Sequence, residues 1–582
     1  MKTVRISHFV ARAPLLFLIL GACSLSPAFA ADLIVHHGKI VTVDADFAVR
    51  QAMAIQDGRI VAVGGDADIL RLQTGDTEVI DLEGRVVLPG LIDSHVHPCG
   101  AALTEFDHAI PQMDSIADVL DYFRSRAEGL DDGEWIVLQQ VFITRLREQR
   151  YPTRAELDRV APKNPAVFRT GPDASLNTLA LKLSGIDKDF RVTDGGPGYA
   201  ERDAETGELT GILRSCNRFI KSQASGAEPT DRDRYERLLA LFQGYNAVGI
   251  TGICDGAARP ANLQLYQKLL DRGDLTVRVA AQHYIDTIGP IEDIQDHIRQ
   301  VAQNPLCQGS PMLRIIGIKA FLDGGMLTGS AYMRRPWGVS KTYAIDDPNY
   351  CGVLFIPKDR LLPIVRTVTE CNLQFTAHSV GDGAVHALLD VYEELRETMP
   401  IRPRRHCITH ANFMSAEAVV KAADLGVFLL VQPAWLYLDT RTLAGHFGYE
   451  RLRYFQPLRS IDAAGGLVAG GSDHMQKIGA LRSINPYDPF LGMWTTLTRR
   501  ARWYEGQLHP EEALSREQAI RLYTINGARA LFQEEFAGSL EKGKRADFIV
   551  VDTDLLTCDT DAIRKTQVLK TYLDGRLVFE RD

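Results

Sequence analysis

Residues 86–98 have the sequence VVLPGLIDSHVHP, in which a run of β-forming residues ends in two histidines one position apart. In an extended chain, residues i and i+2 project from the same face, so His95 and His97 are expected to present two imidazoles side by side. Neighbouring imidazoles bury poorly without polar partners, and a metal ion is one partner that satisfies both. The stretch therefore predicts a strand that ends at a metal site, provided that other ligands converge there.

Seven further short apolar segments follow along the chain, and longer helical patterns separate many of them. With residues 86–93 as the first strand, the others are predicted at 249–254, 277–283, 314–320, 374–378, 407–410, 427–432 and 467–471. Helical patterns cover residues 232–245, 358–370, 385–398 and 416–425. The alternation of eight strands with helices predicts an α/β fold built on a parallel (β/α)8 TIM barrel, in the domain 86–535.

Two further regions are predicted outside the barrel itself. The interval between the first two strands is too long for one crossover, so it predicts an inserted α/β subdomain at about residues 100–230. The segment PTRAEL at 152–157 marks a helix start within it. Short alternating apolar runs joined by Asp57-Gly58 and Asp574-Gly575 are strong hairpin signals near the two ends of the chain. Residues 31–85 and 536–582 are therefore predicted to form a small composite β-sandwich.

Residues 1–30 have the layout of a secretory signal peptide. Lys2, Arg5 and Arg12 flank the start of an apolar run, PLLFLIL at 14–20, and Ala28-Phe29-Ala30 supplies small residues for cleavage. The run is shorter than the ~20 residues of a membrane-spanning helix. We therefore predict cleavage after Ala30 and an exported, periplasmic or secreted protein without a membrane span. A lipoprotein-type segment, LGAC at 20–23, is the alternative and would place a lipid on Cys23.

The composition excludes some partner classes. The 582-residue chain has 65 Lys and Arg against 74 Asp and Glu, a formal charge of −9, and no long basic run. Nucleic-acid binding is therefore not expected. The expected partner is a small-molecule substrate. The nine cysteines include no CxxC pair. A disulfide is an option in an exported protein, but so long a chain does not need one to fold, so buried free thiols are expected for most of the cysteines. The sequence leaves the oligomeric state open, with a homo-oligomer as one option.

Residues suited to metal chemistry occur at the ends of five predicted strands. These residues are His95, His97, Lys319, His378, His410 and Asp473. Active sites of parallel barrels lie at the carboxyl ends of the strands, so these side chains are expected to meet at one rim. A single histidine at a strand end is more often a satisfied polar residue than a ligand. The joint placement is what predicts a metal centre.

Imidazole and carboxylate ligands predict a divalent metal, as one or two ions, with zinc the first expectation and manganese, iron or cobalt as alternatives. Such a metal keeps a position open for water and lowers its pKa towards ~7. Asp473 is expected to orient the water, take its proton and pass it to a leaving group. Lys319 would repel a cation unless CO2 carboxylates it to an anionic bridge between two metals. An ion pair with Asp323 is the alternative for this lysine.

The motifs GLIDSHVHP, IKAFLDGG, AHSVGD, THANF, GGSDH and GSLEKGKRADFIVVD resemble those of the metal-dependent amidohydrolase superfamily, in its YtcJ-like, amidohydrolase-3 branch. The resemblance covers most of the mature chain and implies a (β/α)8 barrel with a β-sandwich from both termini. It implies metal ligands at His95, His97, His378 and His410. It also implies that Asp473 is the catalytic acid/base near the metal, and that Lys319 occupies the position of a carboxylated lysine.

Other positions concern the substrate. Pro172, in TGPD at 170–173, stands where such relatives have histidine, and Ser215 stands where they often have glutamate, so both are assigned to the substrate side. His474 is a candidate substrate contact or a solvent-facing rim residue, and Trp435 either lines a pocket or only packs. Asp323 is a further candidate on the substrate side.

The predicted function is metal-dependent hydrolysis of an amide-type carbon–nitrogen bond, non-peptide or of a small N-acyl compound. Deamination or ester hydrolysis at the same site is the nearest alternative, because the fold does not decide the substrate. A non-catalytic metal-binding protein with a regulatory or binding role is the alternative from another class.

Overall fold

The computed structural model describes Met1 and residues 31–139, 141–223 and 227–582. Residues 2–30 of the predicted signal peptide, including Cys23, lie outside the described residues. Within the described chain, no helix combines the length and apolar character needed to cross a bilayer. All eight cysteines of this part are free thiols, and three of them are buried.

Eight parallel strands form a barrel and follow one another around it in chain order. They are β1 Leu91–Val96, β2 Ile250–Ala258, β3 Arg278–Tyr284, β4 Leu313–Phe321, β5 Gln374–Ser379, β6 Cys407–His410, β7 Phe428–Val431 and β8 Leu467–Gly470. Two backbone hydrogen bonds of 2.8 Å join the first and last strands, from Asp473 N–H to the His95 carbonyl and from His97 N–H to the His474 carbonyl. The prediction of a (β/α)8 barrel is confirmed.

Helices cover the outside of the barrel. Those between consecutive strands are Asp231–Asn246, Pro260–Asp271, Ile291–Ala302, Lys358–Glu370, Asp382–Arg396, Ala416–Leu425, Pro433–Phe447 and Leu458–Ala463, and those after β8 are Pro489–Thr498, Arg516–Leu522 and Ile525–Ala530. Short 3-10 helices are Leu70–Leu72, Ile143–Arg145, Asn217–Phe219, Pro305–Gln308, Arg402–Arg404, Glu450–Leu452 and Pro510–Glu512. Strands β6 and β7 are buried along their whole length, as expected where helices cover a parallel sheet.

The predicted first strand, 86–93, is divided in the structure. Val86–Pro89 pairs with Lys39–Val41 and Phe548–Val551 in a terminal sheet, whereas the barrel strand β1 begins at Leu91. The chain changes sheet at Gly90, where a Cβ atom would lie 2.0 Å from Oγ1 of Thr251. One continuous apolar run hides this change in the sequence, so the prediction of a single strand was wrong here.

Two sheets lie near the chain ends. Their strand orders are Arg59–Gly64, Ala52–Gln56, Leu33–His36, Glu78–Asp81 in one, and Arg576–Glu580, Val568–Leu573, Phe548–Val551, Val86–Pro89, Lys39–Val41, Val49–Arg50 in the other. Side chains of both sheets, among them Val35, Met53 and Phe548, share one core. Asp57-Gly58 and Asp574-Gly575 form the predicted turns, with positive φ at all four residues as a type I′ hairpin requires. Two short helices accompany these sheets, Asp66–Ile69 and Thr560–Ile563.

The segment between β1 and β2 contains a sheet of its own. Its strand order is Tyr199–Arg202, Leu209–Arg214, Asp173–Leu176, Ala166–Thr170, Ile136–Gln139, and its helices are Pro98–Leu103, Ile116–Gly129, Arg154–Val160 and Thr178–Ser184. Thr153 and Glu156 form a capping box at the start of Arg154–Val160. The apolar core of the insertion continues onto Met326, Phe413 and Trp435 of the barrel, so the insertion covers the carboxyl ends of the strands.

Candidate metal centre at the carboxyl ends of the barrel strands

His95 and His97 lie side by side at the end of β1, as their i, i+2 spacing predicts. Their ring centroids are 5.0 Å apart and the rings are almost perpendicular, at 85°. The Nε2 atoms of His95 and His97 lie 3.4 and 3.2 Å from Oδ1 of Asp473. One ligand atom from each of these three residues lies within 4.8 Å of the other two, so the three can share one metal ion.

The closure of the barrel places Asp473. Its backbone N–H donates to the His95 carbonyl, and its own carbonyl accepts a 2.7 Å hydrogen bond from the Asn485 amide. The preceding residue, Ser472, donates its hydroxyl to Asp93 at 2.5 Å. Asp93 also accepts the backbone N–H groups of His95 and Ser472, at 3.1 and 3.0 Å. The Asp93 carboxylate therefore ties the end of β1 to the segment after β8, and both segments carry metal-site residues.

His378 and His410 complete the ring of imidazoles. Their centroids are 4.5 Å apart, and the His410 centroid is 5.3 Å from that of His95. His410 Nδ1 lies 2.7 Å from Oε1 of Gln432, whose own amide nitrogen donates to a backbone carbonyl. Nδ1 is therefore the donor, and Nε2 keeps its lone pair. His378 Nε2 lies 3.2 Å from the Gly324 carbonyl, which can only accept, so Nδ1 of His378 keeps its lone pair.

Burial holds these imidazoles in the neutral form. Desolvation, with the nearby Lys319 cation as the next cause, lowers the pKa of His378 to about 3. The pKa of His95 lies well below its usual value for the same two reasons. For His410, desolvation and the neighbouring His378 lower the pKa well below its usual value. Metals bind the neutral imidazole, so these three rings are in the metal-binding form at neutral pH.

Lys319 lies on β4 and is fully buried. Its Nζ makes no hydrogen bond to any described residue. Burial lowers the pKa of Lys319 to about 8, against the opposing influence of the Asp473 carboxylate. The alternative prediction, an ion pair with Asp323, is not formed. The oxygens of Asp323 instead accept 2.9 Å hydrogen bonds from the backbone N–H groups of Tyr332, Val380 and Gly381.

The donor set fits a divalent metal. Both ring nitrogens of His95 and Nζ of Lys319 are buried without a hydrogen-bond partner among the described residues, an arrangement that is unfavourable unless a ligand completes it. Gly256 on β2 leaves the space that the His95 ring fills, because a Cβ atom there would lie 2.0 Å from His95 Cε1. Imidazole and carboxylate donors of this kind bind zinc, manganese, iron and cobalt.

The cluster opens into a cavity of about 830 Å³ between the strand ends and the insertion. This volume lies within the ~300–1,000 Å³ of typical small-molecule sites. Apolar residues of the insertion and of the barrel loops line it, among them Ile136, Phe142 and Leu327. Trp435 also lines it and stacks on His410, with ring centroids 5.0 Å apart and planes at 16°.

Comparison with known proteins identifies the family of the chain. The model of a family described as "Amidohydrolase family" matches residues 78–579. The chain belongs to the amidohydrolase family. The N-substituted formamide deformylase of Arthrobacter pascens is 30% identical over 94% of this chain and 98% of its own length. The putative amidohydrolase YtcJ of Bacillus subtilis (strain 168) is 25% identical over 94% of this chain and 99% of its own.

Among solved structures, an uncharacterized metal-dependent hydrolase from Pyrococcus horikoshii OT3 aligns with this amidohydrolase at a TM-score of 0.64 and 21% identity. The alignment covers 91% of this chain and 99% of the other, and at this identity it shows the shared fold. The resemblance to the amidohydrolase-3 branch, predicted from the motifs, is confirmed by the family match and by the relatives.

The three predicted substrate contacts of the amidohydrolase differ in position. Trp435 and Asp323 line the cavity, although backbone N–H groups occupy the Asp323 oxygens. His474 is fully buried: its Nδ1 pairs with the Tyr245 hydroxyl at 2.8 Å, and its Nε2 lies 2.9 and 2.8 Å from the carbonyls of Gln476 and Lys477. Because both ring nitrogens are occupied and the residue is outside the cavity lining, its assignment as a substrate contact is corrected to a structural role.

Pro172 and Ser215, the two positions that differ from the family pattern, also differ in whether they line the cavity. Pro172 lines the cavity, as expected for the substrate side. Ser215 lies outside the lining; its backbone N–H donates to Asp173 at 2.9 Å, and the next residue, Cys216, is buried in the core of the insertion.

Four residues of the site were not predicted from the sequence. Asp93 could have been found as a carboxylate inside an apolar strand, and Gln432 as a polar residue at the end of β7. Gly256 and Arg169 have no such signal in the sequence. Gly256 is needed because the His95 ring lies close to the backbone, and Arg169 reaches the cavity because the insertion forms one wall of it; neither arrangement leaves a periodic pattern.

Proposed function

We propose that this amidohydrolase hydrolyses an amide-type carbon–nitrogen bond of a small N-acyl compound with one or two divalent metal ions. The observation that carries the proposal is the convergence of His95, Lys319 and Asp473 with three further imidazoles on one buried cluster that opens into the cavity. The relative named as an N-substituted formamide deformylase supports amide chemistry of this kind.

The metal would be held by the side-chain nitrogen and oxygen atoms of the cluster that keep a free lone pair. These residues would be His95, His97, His378, His410 and Asp473, with Lys319 as a further ligand once carboxylated. When bound, the metal would polarise the substrate carbonyl and lower the pKa of water towards ~7. Zinc remains the first expectation, with manganese, iron and cobalt as alternatives.

In the proposed reaction, Asp473 moves the proton. Its carboxylate lies beside the Nε2 atoms of His95 and His97, and the barrel closure holds its backbone. It can accept a proton from the attacking water and deliver that proton to the leaving nitrogen. Amide cleavage needs this second step, because an amine is a poor leaving group until its nitrogen is protonated.

We propose that Lys319 carries a carboxyl group taken from CO2. The Nζ ammonium first loses one proton, and the neutral amine then forms a bond to the carbon of CO2 and loses a second proton, so that a buried cation becomes a carbamate anion. Its burial without a partner and its pKa, lowered to about 8 by burial, support this modification. The modification would also remove the repulsion between an ammonium group and a neighbouring metal ion.

The test of the proposed reaction begins with metal-free protein reloaded separately with zinc, manganese, iron or cobalt. Each form is assayed with N-formyl and N-acetyl amines, simple esters and aminopurines, and the released amine, acid or ammonia is measured. We expect metal-dependent release of amine from an amide. Release from esters alone, or of ammonia alone, would assign one of the alternative reactions. Bound metal without turnover of any class would contradict the proposal and favour a non-catalytic binding protein.

We also propose that the protein is exported. The basic start, the apolar run at 14–20 and the small residues at Ala28-Phe29-Ala30 support a cleavable leader. N-terminal sequencing of protein from the periplasm or medium is expected to begin at Ala31. A lipid-modified N-terminus at Cys23 would indicate the lipoprotein alternative, and an intact leader on cytoplasmic protein would contradict export.

A further inference from the structure

Arg169 is a wall residue of the cavity, and the cavity wall on its side is built by the insertion. It lies on the strand Ala166–Thr170, where its register partners are Gln139 on one neighbouring strand and Ala174 on the other. The side chains of Arg169 and Gln139 both line the cavity that contains His95 and Asp473. The guanidinium group thus shares a continuous space with the metal centre but comes from a different subdomain.

The charge of Arg169 has no acidic partner. Its Nε is buried and makes no hydrogen bond to any described residue, and one terminal nitrogen has a single long contact, 3.4 Å, to the Ser222 hydroxyl. No ion pair involves it within the described chain, and residues 2–30, 140 and 224–226 contain no aspartate or glutamate. Burial alone lowers the pKa of Arg169, with no neighbouring carboxylate to offset it.

Two arginines of this region that are more deeply buried than Arg169 are compensated. Arg214, on the strand Leu209–Arg214, pairs with Asp173 and Glu201 at 3.2 and 3.3 Å. Arg145 pairs with Asp439 at 2.8 Å. Burying a cation without a partner is unfavourable, so an unpaired guanidinium inside a cavity indicates a place for an anionic ligand.

The acidic side chains of the cavity already have partners. Asp107 lies 2.9 Å from Nδ1 of His108 and 3.8 Å from Arg126. Asp323 accepts three backbone N–H groups, and Asp473 belongs to the metal centre. Among the described residues, the cavity lining therefore contains no spare carboxylate that could pair with Arg169.

We propose that Arg169 binds a carboxylate of the substrate, so that the preferred substrates are N-acyl compounds with an acidic group, such as N-acyl amino acids. This inference deepens the proposed function and rests on it. A planar guanidinium matches a carboxylate through two parallel hydrogen bonds. With the carboxylate on the Arg169 guanidinium, the amide attached to the same carbon would face the metal centre, and the apolar residues of the cavity would contact the side chain of the substrate.

The test uses two substrates that differ only in the charged group, N-formylphenylalanine and N-(2-phenylethyl)formamide, with the metal-loaded full chain. We expect the wild-type protein to have the higher kcat/KM for the acid. Arg169→Gln is expected to lower kcat/KM for the acid roughly 10- to 100-fold, mainly through KM, and to change kcat/KM for the neutral amide much less. Arg169→Lys is expected to give an intermediate value, because it keeps the charge but loses the paired hydrogen bonds.

Two controls separate this role from a structural or general electrostatic one. Arg126→Gln removes another cation of the same cavity, one that has an acidic neighbour, and is expected to have a smaller effect on the acid substrate. Arg169→Gln is expected not to lower Tm, because it removes a half-buried charge without breaking an ion pair. Equal losses on both substrates, or a Tm decrease with no change of substrate preference, would overturn the inference.

Binding of 3-phenylpropanoate, measured by calorimetry, separates this inference from the proposed reaction. We expect Arg169→Gln to lose binding and metal-free wild-type protein to keep a measurable part of it. Binding that depends on Arg169 without turnover of any amide would keep the carboxylate site and contradict the proposed reaction. Binding that survives in Arg169→Gln and disappears with the metal would assign the carboxylate to the metal and overturn the inference.

Discussion

Gly256→Ala tests the metal centre through a residue that is not itself a ligand. A Cβ at this position would lie 2.0 Å from Cε1 and 2.2 Å from Nδ1 of His95, whereas ordinary contacts begin at 3.4 Å. The His95 ring would have to move by about 1.4 Å to restore such a contact. Metal–ligand distances tolerate only about 0.2 Å, so His95 would be lost as a ligand. Displacing a ligand in this way is expected to weaken metal binding at least ~10- to 100-fold.

The assay is metal content after dialysis against a defined free-metal concentration, followed by kcat/KM on the amide that the wild-type protein hydrolyses. A displacement of this size is expected to lower kcat/KM by roughly 10²-fold even when metal is in excess. Gly252→Ala is the matched control on the same strand, since its Cβ would meet only Ile92 at 3.3 Å and Gln533 at 3.6 Å. It should keep its metal. Full metal content and wild-type kcat/KM in Gly256→Ala would refute the proposed role of His95.

Three further predictions concern the same centre. Asp473→Asn should lower kcat by about 10²–10⁴-fold with little change in Tm, as expected for loss of a general acid/base; unchanged kcat would remove Asp473 from the mechanism. Lys319→Met should bind less metal and lose any stimulation by bicarbonate, and intact mass measurement of gently handled wild-type protein should show one added CO2. An unmodified lysine in fully active protein would contradict carboxylation. Asp93→Ala leaves the N–H groups of His95 and Ser472 without their acceptor, and at ~1–3 kcal/mol for each unsatisfied group it should lower the free energy of unfolding by about 2–6 kcal/mol in denaturant titration. A smaller loss in Asp93→Asn would support this reason, and a wild-type value in Asp93→Ala would exclude it.

The sequence predicts the barrel and its rim well because both follow simple geometric rules. Short apolar segments separated by helices require parallel strands, and parallel strands bring their carboxyl ends together. His95, His378, His410 and Asp473 could therefore be placed at one rim although nearly four hundred positions separate the first from the last. The same rule, applied to every strand, would have included Gln432, which sets the orientation of the His410 ring.

The rules fail where the chain changes direction or sheet. His474 follows Asp473 directly, but beyond β8 the backbone is not extended: φ of Asp473 is 55°, and the next side chain turns into the core. Gly90 divides a uniform apolar run between two sheets, and no pattern of hydrophobicity marks such a point. Arg169 shows neither apolar periodicity nor a strand-end position in the barrel, so only the packing of the insertion places it in the cavity.

The seam of the barrel, meaning the hydrogen-bonded closure between β1 and the segment after β8, is built from the same residues as the metal centre. The hydrogen bonds that join β1 to the segment after β8 use the backbone of His95, His97 and Asp473, whose side chains have ligand atoms within 4.8 Å of one another. Any opening of the seam separates these donors, so a metal that binds them binds the closed barrel and stabilises it by mass action. The wall that carries Arg169 is not part of this seam. If Arg169 selects the substrate as proposed, chemistry and substrate choice rest on different parts of the chain, and changes in the insertion would alter substrate preference without disturbing the metal centre.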